Sequence, residues 1–191
     1  FNADTPLTLS ETASVFGEML TFQSILKNEN NQKEKKSLLA NKVEDMLNTV
    51  VRQVSFFEFE KKIHEKRKKS ELSVNEICSL WIETQKESLG PSISFEDEYK
   101  YYWAYIPHFI HSPFYVYAYA FGDCLVNSLF AVYQDGLEKF EKKYIQLLEA
   151  GGSMRYRKLL EPFNLDPSKS DFWYKGISVI ESFIDQLNEI E

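Results

Sequence analysis

Glycine and proline are scarce, with seven and six residues among 191. Strand-like alternation of apolar and polar residues is scarce too, so a fold built on strands and tight hairpins is excluded and helical periodicity is the main signal. No run of about 18 apolar residues occurs, which argues against a membrane span. Positive charge is in deficit: 22 Lys and Arg stand against 29 Asp and Glu, for a formal net charge of −7. Nucleic-acid binding draws on a positive surface that displaces counterions, and nothing here supplies one on balance. There are only two cysteines, Cys78 and Cys124, and they form no Cys-x-x-Cys pair. They read as two reduced, partly buried thiols of a cytoplasmic protein, with one long-range disulfide as the alternative. None of the three histidines has Glu three residues before it, which removes a ferritin-like di-metal bundle. A Gly-rich phosphate loop and a Gly-x-Ser-x-Gly elbow are both absent.

Aromatic residues are abundant, with 11 Tyr, 15 Phe and 3 Trp. The length suffices for one domain that buries roughly 70% of its unfolded surface. The periodicity predicts an all-α fold. A first helix is expected over Thr8–Lys27, ended by the polar run Asn28–Gln32. A long amphipathic helix follows over about Lys33–Lys69, with Leu39, Val43, Met46, Val50, Val54 and Phe57 on its buried stripe. Ser73 with Glu76 forms a capping-box signature for a helix that ends before Gly90-Pro91. Residues 91–113 are irregular. Ser112-Pro113 reads as the start of a long helix that reaches Ala150 and stops at Gly151-Gly152. Short and long helices near Arg155–Glu161 and Ser170–Leu187 complete one helical domain. The basic run Lys61–Lys69 suits a solvated helix end. The opening Phe-Asn-Ala-Asp-Thr-Pro reads like the middle of a longer chain.

At about 100° per residue, Glu11, Ser14, Val15, Glu18, Phe22 and Ile25 share one face of the first helix. That helix is apolar nearly all round and should be buried, and a buried carboxylate needs a partner, a proton or a metal. Thr8-x-x-Glu11 is itself a capping box, which explains Glu11 without a metal. Glu18 could pair with a Lys or Arg of a neighbouring helix.

The run Leu9-Ser10-Glu11-Thr12-Ala13-Ser14-Val15-Phe16-Gly17-Glu18-Met19-Leu20 resembles the segment after the metal helix of the oligoendopeptidase F family, which belongs with the thimet-type oligopeptidases. Further matches follow in order: Arg52-Gln53-Val54 through His64-Glu65, Tyr105-Ile106-Pro107-His108-Phe109, Pro113 through Gly122, Ala150-Gly151-Gly152-Ser153, and Asp171-Phe172-Trp173 through Glu181. The resemblance implies the helical C-terminal part of a zincin-type catalytic domain over residues 1–191. It implies a zinc-dependent endopeptidase acting on short peptides, with Glu11 as third zinc ligand and Glu18 supporting the site. The family's His-Glu-x-x-His is missing. His64-Glu65-Lys66-Arg67-Lys68 lacks the second histidine and lies downstream of Glu11, so the metal helix is expected before Phe1, in the remainder of the same polypeptide. A zinc site takes three protein ligands and an open position, so this piece alone should be inactive. The alternative is a non-catalytic helical interaction module that keeps the peptidase shape.

In Pro107-His108-Phe109-Ile110-His111-Ser112-Pro113 and the helix beyond it, Tyr115, Tyr119 and Gly122 share a face, and Tyr117 points roughly the opposite way. A Tyr-rich face alone suits a core or an interface, and His108 with His111 could be a metal pair or plain loop residues. The resemblance implies that a histidine and tyrosines of this region hydrogen-bond the substrate backbone and the developing oxyanion. It points to His108 and Tyr119 as catalytic and to Tyr115 as substrate-binding, with His111 able to replace His108.

Overall fold

The structure, a computed structural model, describes Leu9 and residues 11–190, so the expected cap residue Thr8 lies outside the described residues. No strand occurs among them. They form helices α1 (Thr12–Asn28), α2 (Gln32–Thr49), α3 (Val51–Arg67), α4 (Val74–Leu89), α5 (His108–His111), α6 (Tyr117–Gln134), α7 (Phe140–Ala150), α8 (Tyr156–Leu160) and α9 (Ser170–Glu189), with 3-10 segments over Asp97–Tyr105 and Glu161–Phe163. They gather into two compact units, one from the described residues up to 46 with 121–190 and the other from residues 47–120.

The first unit is organised on aromatic packing. Phe16 of α1 lies among Phe130, Tyr133, Phe140 and Tyr144, with ring centroids 4.6 Å apart for Tyr144 and 6.4 Å for Phe130. Edge-on and offset ring pairs at these separations add to the area they bury. Phe22 meets Phe183 of α9 edge-on at 5.4 Å. Helices α6 and α9 are in close contact at Gly176, where any Cβ would sit 2.7 Å from the Cys124 carbonyl oxygen. Beside this contact the buried Ser128 hydroxyl donates to the Phe172 carbonyl at 2.9 Å.

The second unit packs Phe56 and Phe59 of α3 against Leu80 and Trp81 of α4 and against Val116. A polar thread runs through it. Gln85, fully buried, donates to Ser55 Oγ at 2.7 Å and accepts from the Tyr99 hydroxyl at 3.2 Å. Trp81 Nε1–H donates to the Tyr99 carbonyl at 3.0 Å, tying the 3-10 segment to α4. The basic run is partly paired, with Lys62 3.0 Å from Glu83 and 3.5 Å from Glu87. Cys78 and Cys124 are free and buried.

The expected cap of α4 is present: Ser73 N–H donates to Glu76 Oε2 at 2.8 Å, and Glu76 N–H to Ser73 Oγ at 3.4 Å. Two expected long helices are divided. The one over 33–69 breaks at Val50 (φ −96°, ψ −66°), inside the β-branched run Thr49-Val50-Val51, where side-chain crowding against the preceding turn is greatest. The one over 113–150 starts later and stops earlier. Ser112-Pro113 leads into a turn with Phe114 at φ 58°, and α6 begins at Tyr117. It stops at Gln134 and is capped by Gly136 (φ 77°), where Gly136 N–H donates to the Tyr133 carbonyl and Leu137 N–H to that of Val132. That is the Schellman pattern, for which glycine in the left-handed region is the usual residue.

Candidate active site

Residues 107–119 build a cluster in the second unit. Pro107 opens the four-residue helix α5, which presents His108, and the chain then turns through Pro113 and Phe114. Val116 is buried in the Phe56–Trp81 core, so its neighbour Tyr115 is directed away from that core. Tyr119 sits on the first turn of α6. His108 Nε2 and the Tyr119 hydroxyl are 3.2 Å apart. The Tyr115 ring lies 5.5 Å from the His108 ring and 5.3 Å from that of Tyr119, closing a three-membered cluster. Tyr117 instead packs on Phe57 at 6.0 Å, on the opposite side as the helical spacing predicts. His108 is the histidine that meets Tyr119, while His111 is exposed.

The tautomer of His108 decides what the pair can do. If Nε2 is unprotonated, it accepts a hydrogen bond from the Tyr119 hydroxyl, which is then turned toward the imidazole. If Nε2 carries the proton and donates, the phenol proton is released to point outward, polarised by the imidazole behind it. The second arrangement makes Tyr119 a donor toward whatever faces the cluster.

Glu11 and Glu18 lie in the first unit, and their setting corrects the expectation of a buried carboxylate face. Glu11 is exposed at the start of α1, where Ser14 Oγ donates to its Oε2 at 3.2 Å. The side of α1 that packs inward is Thr12, Phe16, Met19 and Leu26, so the helix uses a single stripe and leaves Glu11, Ser14, Glu18 and Ile25 outside. Glu18 is engaged with a lysine of the neighbouring helix: Lys42 Nζ of α2 is 2.6 Å from Glu18 Oε1. Lys42 is only 8% exposed, and Phe22 lies beneath its ammonium at 5.8 Å. Asp123 belongs to the same neighbourhood. Burial pushes its carboxyl up to about 6, while a 2.9 Å hydrogen bond from Asn127 Nδ2 and the charge of Lys42 pull the other way.

Sequence reasoning passed over Lys42, Asp123 and the buried Glu60. Lys42 had a signal, since it falls between Leu39 and Met46 on the buried stripe of its helix. Glu60 had one too, four residues after Phe56 on the face that Phe56 and Phe59 bury.

Among the described residues no three His, Cys, Asp or Glu side chains come together as a metal site. Glu11 offers one carboxylate where a zinc site takes three protein ligands, so the described residues by themselves do not make such a site.

The sequence pattern of peptidase family M3 matches residues 1–179. The chain belongs to peptidase family M3. Relatives of this family M3 chain include the plasmid oligoendopeptidase F of Lactococcus lactis subsp. cremoris, 30% identical over 186 residues, which are 97% of this chain and 31% of that protein. An oligoendopeptidase F homolog of Borreliella burgdorferi is 30% identical over 182 residues, 95% of this chain and 31% of its own length. A crystal structure of a Chlamydophila abortus protein superimposes with a TM-score of 0.90 at 30% identity, covering 100% of this chain and 32% of that one. The oligoendopeptidase-F structure from Enterococcus faecium gives a TM-score of 0.87 at 24% identity over 97% of this chain and 36% of that one, a likeness of fold alone. The expected helical peptidase fold and the expected family are therefore those found. The family M3 chain spans under a third of the length of these two relatives, 31% in each case.

Proposed function

We propose that this chain is the C-terminal, substrate-facing part of a zinc-dependent metalloendopeptidase that hydrolyses short peptides in the cytoplasm. The metal-binding His-Glu-x-x-His helix lies on the same polypeptide before Phe1. The observation that carries the reading is the hydrogen bond between His108 Nε2 and the Tyr119 hydroxyl, with Tyr115 closing the cluster, in a chain of family M3. Glu11 would lend one carboxylate to the zinc, and its exposed position leaves that carboxylate open to a metal ion held by residues outside the described ones. Glu18, held by Lys42, keeps its part of α1 in place. No helix among the described residues is long and apolar enough to cross a membrane.

In this reading the work of residues 107–119 is electrostatic. As the scissile carbonyl becomes tetrahedral, negative charge gathers on its oxygen. Tyr119 Oη–H donates to that oxygen, and His108, with its proton on Nε2, donates to Tyr119 Oη from behind. The two bonds strengthen as the charge develops, so they favour the transition state over the bound substrate. Tyr115 and His111 offer their polar tips to the substrate backbone.

The test is Tyr119→Phe in the full-length protein. Loss of one oxyanion donor should lower kcat by about 10²–10³-fold, with KM and bound zinc little changed. An unaltered kcat removes Tyr119 from the site. A full-length protein with no peptide hydrolysis at all would instead be the helical interaction module.

A further inference from the structure

We propose that Glu60 is a positioning residue that sets the His108–Tyr115–Tyr119 cluster by holding the backbone of Phe114. The proposal rests on the reading of that cluster given above. Glu60 lies on α3 and is 3% exposed. Its Oε1 accepts from the Phe114 backbone N–H at 2.8 Å, while its Oε2 is buried without a hydrogen-bond partner. Burying a half-satisfied carboxylate is costly, and such a group in a native fold asks for a reason. Phe114 supplies one. It is a bulky residue at φ 58°, in the left-handed region that non-glycine residues rarely occupy. A conformation of that kind persists only where surrounding contacts over-determine it.

Those contacts come largely from α3. Besides the Glu60 bond to the backbone, the Phe114 ring packs on His64, one turn beyond Glu60, at 4.8 Å, and on Phe57 at 6.4 Å. The next residue is Tyr115 and the one after it is Val116, 1% exposed in the core. Tyr115 is thus fixed between two anchors, the Glu60 bond before it and the buried Val116 after it. Its ring contacts with His108 and Tyr119 follow from that placement. Releasing Phe114 from Glu60 lets the backbone relax out of the left-handed region. That swings Tyr115 and alters the entry into α6, on whose first turn Tyr119 stands.

The role needs an acceptor at the right reach and does not need charge, and this separates it from a general need for a buried anion. Glu60→Gln keeps an amide oxygen where Oε1 stands. Glu60→Asp keeps the charge and withdraws it by one methylene. The full-length protein labelled with ¹³C-histidine reports the cluster without any assay of activity, because the Tyr115 and Tyr119 rings set the ring-current shift of His108. Glu60→Asp is expected to move the His108 ring resonances and to lower kcat by about tenfold to a hundredfold with KM little changed, the penalty for a small misplacement of reacting groups. Glu60→Gln is expected to leave the resonances in place and kcat within about threefold of the parent, since the bond to Phe114 survives. Unmoved His108 resonances in a folded Glu60→Asp protein overturn the proposal, as does a Glu60→Gln protein disturbed as much as Glu60→Asp. If the aspartate variant does not fold, Glu60→Met, which keeps the length and removes the acceptor, takes its place: moved His108 resonances are expected, and unmoved ones overturn the proposal. Moved resonances together with a Tyr119→Phe enzyme of normal kcat uphold the positioning by Glu60 and refute the catalytic part assigned to the cluster.

Discussion

Adding one methyl group to Gly176 would put a carbon 2.7 Å from the Cys124 carbonyl oxygen, 3.1 Å from Ser128 Oγ and 3.3 Å from Cys124 Cα. Two of those three atoms are backbone of α6 and cannot swing aside, and Ser128 Oγ is committed to the Phe172 carbonyl. Helix α9 would have to move outward, drawing Phe172, Val179 and Phe183 from places where they are at most 5% exposed. Overpacking of this kind costs about 1–3 kcal/mol. Alanine is also a better helix former than glycine by about 1 kcal/mol, which offsets part of the loss and blurs a single measurement. Gly17 supplies the control, because it also lies inside a helix yet its added Cβ meets nothing within 4 Å. The propensity gain is common to Gly17→Ala and Gly176→Ala, so the difference between the two variants reports the clash. Urea denaturation followed by circular dichroism should find Gly17→Ala slightly more stable than the parent and Gly176→Ala below Gly17→Ala by about 1–3 kcal/mol. Equal stabilities would show that α9 can withdraw from α6 at no cost and would refute the close-packing argument.

Glu11→Gln in the full-length protein should lose bound zinc, measured by metal analysis after dialysis, and peptide hydrolysis with it; zinc retained at the parental stoichiometry would remove Glu11 from the ligand set. Asp123 carries a pH prediction. Its carboxyl is raised to about 6 by burial, against an unfolded value of about 3.9, so between these limits the folded chain binds more protons than the unfolded one. Stability should therefore decline as pH rises from about 4 to about 6. Asp123→Asn should flatten that slope and be more stable at neutral pH by up to about 3 kcal/mol, read from urea midpoints across the range.

The all-α class, the Ser73–Glu76 cap, the stops at Gly90 and Gly151, and the final helix were legible because each rests on local chemistry: a cap side chain, a left-handed glycine, an apolar stripe. The break at Gly136 was equally local. Asp135-Gly136 is a turn signal, and glycine there takes the left-handed backbone that ends the helix. Ser112-Pro113 misled because the start signal competes with a tertiary contact, the reach of Glu60 from α3 to the Phe114 amide, which no local rule contains. The resemblance pointed to His108 and Tyr119 separately, as groups facing a substrate, and left His111 able to replace His108; the bond between His108 and Tyr119 joins residues eleven apart across a turn, which no local rule contains. The apolar content of α1 exceeds what its packing uses: Leu20 remains 38% exposed on one flank of the buried stripe, and Ile25, on the side of the carboxylates, 49%. Lys42 escaped notice because a long aliphatic stem lets a cation lie in an apolar stripe while its head reaches a carboxylate.

The two sulfhydryls also give the chain a use at the bench. Burial pushes the Cys124 thiol up to about 12, so almost none of it is thiolate near neutrality, and Cys78 is buried as well. Maleimide applied to the folded protein should therefore spare both, and a single cysteine introduced on the surface can carry a fluorophore or spin label without the natural pair being replaced. Because Cys124 belongs to one compact unit and Cys78 to the other, their slow alkylation over time becomes a pair of clocks, each timing the local opening of its own half.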